Sequence, residues 1–416
     1  MYRVESSGTL VKAHRALTRG RVGPRVSSTV VLLGVCSLLT DISSEMVSAV
    51  LPLWLITVVH LQPIQYGIVD GLYQGAAAFV RLAGGFVGDR RGKHKGVAAF
   101  GYGLSAVCKL ALAAVGSAFG SITAIIMLDR SGKGLRTAPR DAMISMASRE
   151  EDLGSSFGVH RAMDTVGALL GPLVAFGLLA IAPLAFDTLF LVSFCFAIAG
   201  LGVIVLLVRE PARRRPAPDA EPLRMRAAFA LLREPRFRGL FVAATVLGLA
   251  TTSDGFIYLT LQRSLDLDPA LFPLLFTGTA VTWMLLAAPV GRLADRVGRG
   301  RVLLSGYVLL LAVYAVLLGP SIGMAGLFVA LFLLGAYYAA TDGVLMALGS
   351  GHVSETLRGS GLALLGTAVS VARLFASVLF GALWTWLGIQ TALAIFAGAL
   401  VVAMAVAAVA LRDANA

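Results

Sequence analysis

The sequence predicts an all-α polytopic membrane protein of twelve transmembrane helices in two pseudo-symmetric six-helix bundles. Three observations carry this. Of 416 residues, 57% are hydrophobic and only 14% charged, and the mean hydropathy is +0.84. The apolar residues gather into twelve runs, 29–59, 66–88, 96–117, 120–142, 155–181, 186–208, 238–262, 270–292, 301–319, 323–348, 358–383 and 386–411. A helix needs about 20 such residues to cross a hydrocarbon core of roughly 30 Å. In lipid every backbone polar group must be satisfied internally, so only helices or closed barrels can span, and these runs are too long and too evenly apolar for barrel strands. Finally, Gly85, Asp89, Arg90 and Gly92 recur as Gly291, Asp295, Arg296 and Gly298 at a constant offset of 206 residues. Two copies half a chain apart indicate an internal duplication.

The charges set the organisation. With the N-terminus inside, 27 of the 35 Lys and Arg fall in inside segments or at the inner ends of spans, seven deeper within spans, and only Arg263 near an outer end. This positive-inside bias puts both termini in the cytoplasm. Residues 1–28 form a basic cytoplasmic segment without the apolar core of a signal peptide. Residues 29–208 form the first bundle, 209–237 a Pro- and Arg-rich cytoplasmic linker with a short interfacial helix around Pro222 to Arg233, 238–411 the second bundle and 412–416 a tail. The net charge of +12 therefore faces anionic lipid headgroups rather than nucleic acid. Cys36, Cys108 and Cys195 lie in separate spans, with no disulfide framework and no metal-ligand spacing, and read as small packing residues.

Span one places Asp41 about 12 residues in, roughly 18 Å deep by helical rise, and Glu45 four residues later shares its face. These carboxylates are candidate proton acceptors. In span two, Arg81 lies nearer the cytoplasmic half; in span three, Lys109 is expected to snorkel along its own helix.

Span four reads ITAIIMLDRSGKGLRTAPRDAM from Ile122 to Met143 and holds Asp129, Arg130, Lys133, Arg136, Arg140 and Asp141. A charge at mid-bilayer costs roughly 2.5–3.5 kcal/mol on insertion scales, so these residues should face protein or a water-filled cavity. Arg130 lies at about the depth of Asp41, making Asp41 or Glu45 its expected partner, and Pro139 is expected to end the helix. Span five brings His160, Arg161 and Asp164, then Gly158, Gly167, Gly171 and Pro172. His160 and Asp164 are spaced to pair, and Asp164 is expected to neutralise Arg130 or Lys133. The glycines are expected to allow close contact with the opposite half.

The second half carries Asp254, Asp342 and Arg373 within spans. By the 206 offset Asp342 corresponds to Arg136, so equivalent positions have opposite charge, and Arg373 is placed to meet Asp254 or Asp342. Tyr337, Tyr338, Trp283 and Phe256 suit either the cavity wall or the core.

GxxxDRxG(R/K) after the second span of each half resembles the signature of the major facilitator superfamily, as do the twelve-span layout and the basic central linker. The resemblance implies the MFS fold and a cytoplasmic gate: Asp89 would face the start of span eleven near Arg358 and Gly359, and Asp295 the start of span five near Ser155, each carboxylate meeting a helix N-terminus. Arg130 and Gly134 match the family's fourth-span pattern, with Lys133 standing where Gln is frequent. Gly158, Gly167, Gly171 and Pro172 resemble the fifth-span motif associated with antiporters, Ala175 standing where Gly is frequent. The strings TDISSEM, DRSGKGLRTAPRDA and HRAMDTVGALLGP resemble a bacterial subgroup of the superfamily.

These readings lead to secondary active transport by alternating access in the inner membrane. The expected partners are a small-molecule substrate, protons and membrane lipid, with the carrier acting as a monomer and no cofactor. No phosphate-binding loop of the form GxxxxGK(S/T) occurs, and no nucleophile–base spacing points to an enzyme. The favoured form is proton-coupled efflux of a small organic solute, anionic or amphipathic, with Asp41 and Glu45 as proton-coupling residues. An importer of an organic anion and an exporter of a metal ion or chelate fit the same charges. A non-transporting receptor would be expected to add a substantial soluble domain.

Overall fold

The computed structural model describes residues 26–75, 94–210 and 229–415, apart from 321, 352, 355 and 356. The described residues form α1 (Ser28–Thr57), α2 (63–75), α3 (His94–Ala114), α4 (Phe119–Ala147), α5 (Leu153–Ile181), α6 (Phe186–Gly202, continued by a π turn at Val203–Leu207), α7 in two parts, α7a (Pro235–Leu249) and α7b (Asp254–Leu265), then α8 (Phe272–Val297), α9 (Arg299–Leu318), α10 (Gly323–Gly351), α11 (Arg358–Leu387) and α12 (Ile389–Asn415). No strand occurs among them. Among the described residues ten helices are long and apolar enough to cross a bilayer. The other two spans are α2, described only in part, and α4, whose hydropathy is lowered by its own charges.

The sequence duplication is visible in the packing. In the first half α1 packs on α5 and α6, and α3 on α4 and α6. In the second half α7a packs on α11 and α12, and α9 on α10 and α12, the same pairs six helices later.

Two element boundaries differ from expectation. Pro139 does not end α4, which runs on to Ala147. Proline lacks only its own N–H, and the helix continues past that one missing bond. The seventh span, in contrast, is broken: Thr251, Thr252 and Ser253 separate α7a from α7b. Tyr314 of α9 stitches the gap, its hydroxyl accepting from Thr252 N at 2.8 Å and donating to the Ala250 carbonyl at 3.2 Å. A buried backbone that leaves a helix needs such partners. Of the linker helix expected around Pro222 to Arg233, residues before 229 lie outside the described residues; a single 3-10 turn occupies Leu231–Arg233.

The halves meet on the side opposite the basic segments, here called the far side. There α2 lies on α11, Ile64 N donates to Thr385 Oγ1 at 3.0 Å, and the Asp70 carboxylate accepts from Ser377 at 2.6 Å. Tyr66, Phe256, Phe380 and Trp384 interlock across the same boundary, with Tyr66 and Phe256 centroids 4.7 Å apart. On the basic side Gly158, Gly291 and Gly359 face open space. Among the described residues the contacts between the halves thus include this far-side seam, while these three basic-side glycines meet no neighbour.

Candidate functional site: a charge cluster on the fourth helix

The cluster is set by close approaches of helix backbones. A Cβ added at Gly132 of α4 would lie 2.8 Å from the Gly101 carbonyl oxygen of α3, and one at Gly101 would lie 2.7 Å from the Gly132 carbonyl oxygen. On the other flank, a Cβ at Gly167 of α5 would lie 2.7 Å from the Leu38 carbonyl oxygen, and one at Gly171 would lie 2.9 Å from the Glu45 Cβ. Ala175 continues this seam, fully buried. The fifth-span glycines thus pack on α1 of their own half, not on the opposite half as expected, while Gly158 has no neighbour within 4 Å. Pro172 is buried inside α5 without ending it. The α1–α5 seam holds Asp41 and Glu45 toward α4.

Along α4 the charges pair in order of depth. Asp129 is bonded by the Lys109 ammonium of α3 and by Arg130 Nη2 at 2.9 Å. Lys109 therefore does not snorkel: it is 1% exposed, because a carboxylate within reach of its tip offers more than a climb along its own helix. Arg130 also lies over the Tyr73 ring, 4.0 Å from the centroid, and Tyr73 shares a 2.6 Å hydrogen bond with Ser48. Asp41 and Glu45 do face cations of α4; Glu45 feels the charge of Arg130, but the direct bond to Arg130 comes from Asp129 on its own helix. Glu45 accepts from Lys133 at 3.3 Å, and Asp41 Oδ1 lies 3.8 Å from Arg136 Nη2. Arg136 covers the Tyr102 ring at 4.5 Å. Nearest the basic side, Arg140 donates to Asp141 at 2.9 and 3.1 Å and to Ser37 Oγ at 3.1 Å.

Asp164 of α5 stands 3.9 Å from Arg140, 3.7 Å from Arg161 and 3.5 Å from His160 Nε2. It does not neutralise Arg130 or Lys133. The Asp164 position on α5 is level with the last turns of α4, so Arg140 is the cation it meets. His160 is fully buried beside it.

Among the described residues of this cluster six cations, Lys109, Arg130, Lys133, Arg136, Arg140 and Arg161, face five carboxylates, Asp41, Glu45, Asp129, Asp141 and Asp164. Most members are buried. Glu45 and Lys133 are the accessible pair, with side chains 23% and 29% exposed. An excess of one positive charge beside a water-accessible pair is suited to attracting an anion.

The second half is built from hydroxyls. Tyr338 donates to Asp254 Oδ1 at 2.5 Å, and Arg373 Nη2 reaches the Tyr337 hydroxyl at 3.5 Å. Asp254 thus takes its hydrogen bond from a tyrosine of α10 rather than from Arg373. Asp342 lies half-buried one turn beyond Tyr338. Tyr337 and Phe256 are core residues, both fully buried; Trp283 is partly exposed.

The first copy of the repeated motif, Gly85, Asp89, Arg90 and Gly92, lies outside the described residues, as does Arg81. The second copy is resolved. Asp295 accepts from Arg299 at 2.9 and 3.0 Å, and Arg299 also donates to the Ala347 carbonyl of α10 at 3.0 Å. Asp295 therefore pairs on its own half rather than at the start of α5, and its side chain is 63% exposed. Arg296 is exposed beside it. Gly298 turns the chain with φ of 109°, a conformation that L side chains rarely adopt.

The family model described as the Major Facilitator Superfamily matches residues 33–261 and 240–416. The chain belongs to the major facilitator superfamily. It is 32% identical over 371 residues to an uncharacterized MFS-type transporter of Methanocaldococcus jannaschii, a match covering 86% of this chain and 89% of that protein. An uncharacterized protein of Mycobacterium tuberculosis is 32% identical over 170 residues, 40% of this chain and 41% of that protein. Among solved structures, the nucleoside transporter NupG superposes with a TM-score of 0.78 at 16% identity, covering 92% of this chain and 99% of that one. A bacterial homolog of the human lysosomal transporter Spinster, in an inward-facing and unoccupied conformation, gives 0.74 at 14% identity, covering 94% and 98%. At these identities the structures share the fold alone. The chain is a multi-pass transporter of this superfamily, not an enzyme.

Sequence reading missed Asp70. It sits in α2, accepting from Ser377 of the opposite half and from Gln74 at 3.0 Å. Two signals pointed to it: an acidic residue in an apolar span, and the ladder Gly67, Gly71 and Gly75 at helical spacing on the same segment.

Proposed function

We propose that this transporter exports a small organic solute, anionic or amphipathic, in exchange for protons, its two halves rocking about the central charge cluster. The observation that carries this reading is the pairing of Glu45 with Lys133 at 3.3 Å, partly exposed, one turn from the buried Asp41 and Arg136. A proton on either α1 carboxylate cancels its attraction to α4. An anionic solute group competes with the same carboxylates for Lys133 and Arg136. Proton and solute then exclude one another at one set of cations, which is the logic of exchange. The six-to-five excess of cations supports an anionic solute and disfavours a bare metal cation. The resemblance of Gly158, Gly167, Gly171 and Pro172 to the fifth-span motif associated with antiporters supports the antiport direction. Import of an organic anion with protons draws on the same charge excess.

The positive-inside count supports a cytoplasmic basic side with both termini inside, and with it an inner-membrane carrier.

The test uses inside-out membrane vesicles with an acidic lumen and a panel of organic anions and amphipaths. A compound that dissipates the gradient with the wild-type chain but not with Asp41→Asn identifies proton antiport and its substrate class together. Wild-type rates in both Asp41→Asn and Arg130→Ala under a pH gradient would overturn the reading. Solute-driven proton movement of the opposite sign would assign import.

A further inference from the structure

The far-side boundary between α2 and α11 is a seam of small residues with one ionisable group inside it. A Cβ at Gly67 would lie 2.5 Å from the Ser377 carbonyl oxygen, one at Gly71 2.8 Å from the Leu374 carbonyl oxygen, and one at Gly381 would collide with the Pro63 carbonyl oxygen. Backbone touches backbone, and any larger side chain forces the helices apart. At that spacing the short Ser377 side chain, fully buried, reaches Asp70 Oδ2 at 2.6 Å. Gln74, one turn further along α2, donates to the same oxygen at 3.0 Å. Among the described residues no cation lies within ion-pair distance of Asp70, and hydroxyl and amide donors, Ser253 beside Ser377 and Gln74, hold the carboxylate.

The contact crosses between the halves, and it exists only while they are closed on the far side. Its surroundings repeat the theme. The Tyr66 hydroxyl occupies the space that a side chain at Gly255 would need, and Ile64 N is bound by Thr385. A shallow pocket of about 210 Å³, which includes His60, Arg263, Phe256 and Trp384 in its lining, shares two rings with the aromatic plug above the seam.

We propose that Asp70 and Ser377 form the positioning pair of the transport cycle at the far-side gate: their hydrogen bond, made possible by Gly67, Gly71 and Gly381, sets the balance between the two access states. The pair acts in the substrate-free carrier and requires neither the coupling ion nor the solute proposed above. Its cost when broken is that of a partly buried carboxylate losing a donor, which corresponds to roughly a tenfold change in a conformational equilibrium.

The experiment measures that equilibrium directly. In the full chain with its three cysteines replaced by alanine, spin labels at His60→Cys and Gln390→Cys report the far side, and labels at Glu151→Cys and Arg301→Cys report the basic side. Pulsed distance measurements are made on the purified carrier in lipid nanodiscs. Ser377→Ala and Asp70→Ala are each expected to raise the far-open to far-closed ratio roughly tenfold and to shorten the basic-side distance in step. The double variant is expected to go no further than the larger single, and Ser377→Thr to stay near wild type. Gly67→Ala is expected to open the far side with both polar groups intact. Should Asp70→Ala fail to fold, Gln74→Ala and Ser377→Ala carry the test. Wild-type ratios in both singles, or a double variant whose change is the product of the two, would overturn the proposal. So would far-side opening without the basic-side shortening, since that marks local loosening only.

Discussion

Gly171 of α5 lies so close to Glu45 of α1 that a Cβ at 171 would stand 2.9 Å from the Glu45 Cβ and 2.9 Å from the Ile42 carbonyl oxygen. The seam that carries the α1 carboxylates thus has no room for one methyl group. On an exposed helix, glycine to alanine gains about 1 kcal/mol of helix propensity. Here the added carbon meets backbone on a rigid helix, and overpacking of this kind costs typically 1–3 kcal/mol. Gly171→Ala should therefore lower the thermal stability of the purified carrier and reduce transport. Gly158→Ala, which meets nothing within 4 Å, should leave both unchanged or slightly improved. Equal melting temperatures for the two variants would show that α1 and α5 can separate without loss.

Asp129 is the residue whose removal should be felt most. It is buried and serves both Lys109 and Arg130. Breaking a buried pair by deleting one partner costs roughly 3–5 kcal/mol, because the other charge is left without compensation. Asp129→Asn strands two cations at once, whereas Lys109→Met leaves Asp129 still bonded to Arg130. The expected order of melting temperature is wild type, Lys109→Met, then Asp129→Asn lowest. A reversal of the last two would mean that Lys109, not Asp129, is the organising charge.

The elements of this fold were legible because membrane spans announce themselves by length and apolarity, and the repeat by one motif read twice. The identity of the cluster was equally legible, since charges inside spans are rare. Its wiring was not. Arg130 and Arg136 are both at plausible depths for Asp41, and only the rotation of α4 against α1, fixed by glycine contacts on either flank, selects Arg136. Lys109 reads as a snorkelling residue until α3 and α4 are seen to touch at Gly101 and Gly132. Asp70 escaped notice because its partner, Ser377, is 307 residues away and carries no charge. The break in α7 has no proline or glycine to mark it; Thr251, Thr252 and Ser253 simply find Tyr314 as an alternative to the helix.

That stitch is itself testable. The Tyr314 hydroxyl joins the backbone on both sides of the break, and the ring is fully buried. Tyr314→Phe keeps the ring and leaves the Thr252 amide and Ala250 carbonyl without this partner, a loss of roughly 1–3 kcal/mol. Amide hydrogen exchange should accelerate at residues 250–256 while α7a and α9 stay protected. Uniform acceleration over the second half would show that the stitch supports the whole bundle rather than the break.

Glu45 and Lys133 separate stability from function. Both are partly exposed, and exposed ion pairs contribute about 0–1 kcal/mol. Glu45→Gln and Lys133→Gln should therefore melt within a few degrees of wild type, in contrast to Asp129→Asn. Their transport should differ from wild type in opposite ways. Removing the cation at 133 takes away the group an anionic solute would meet, so the solute concentration for half-maximal transport should rise, about tenfold for one charge-assisted contact. Removing the carboxylate at 45 takes away the competitor for that cation, so solute should bind at least as well while exchange with protons slows. The measurement is solute binding and counterflow in proteoliposomes, where counterflow needs no proton movement. Preserved counterflow with slowed gradient-driven transport in Glu45→Gln assigns Glu45 to coupling. Loss of both assigns it to solute binding, and the competition between proton and solute at Lys133 would have to be abandoned.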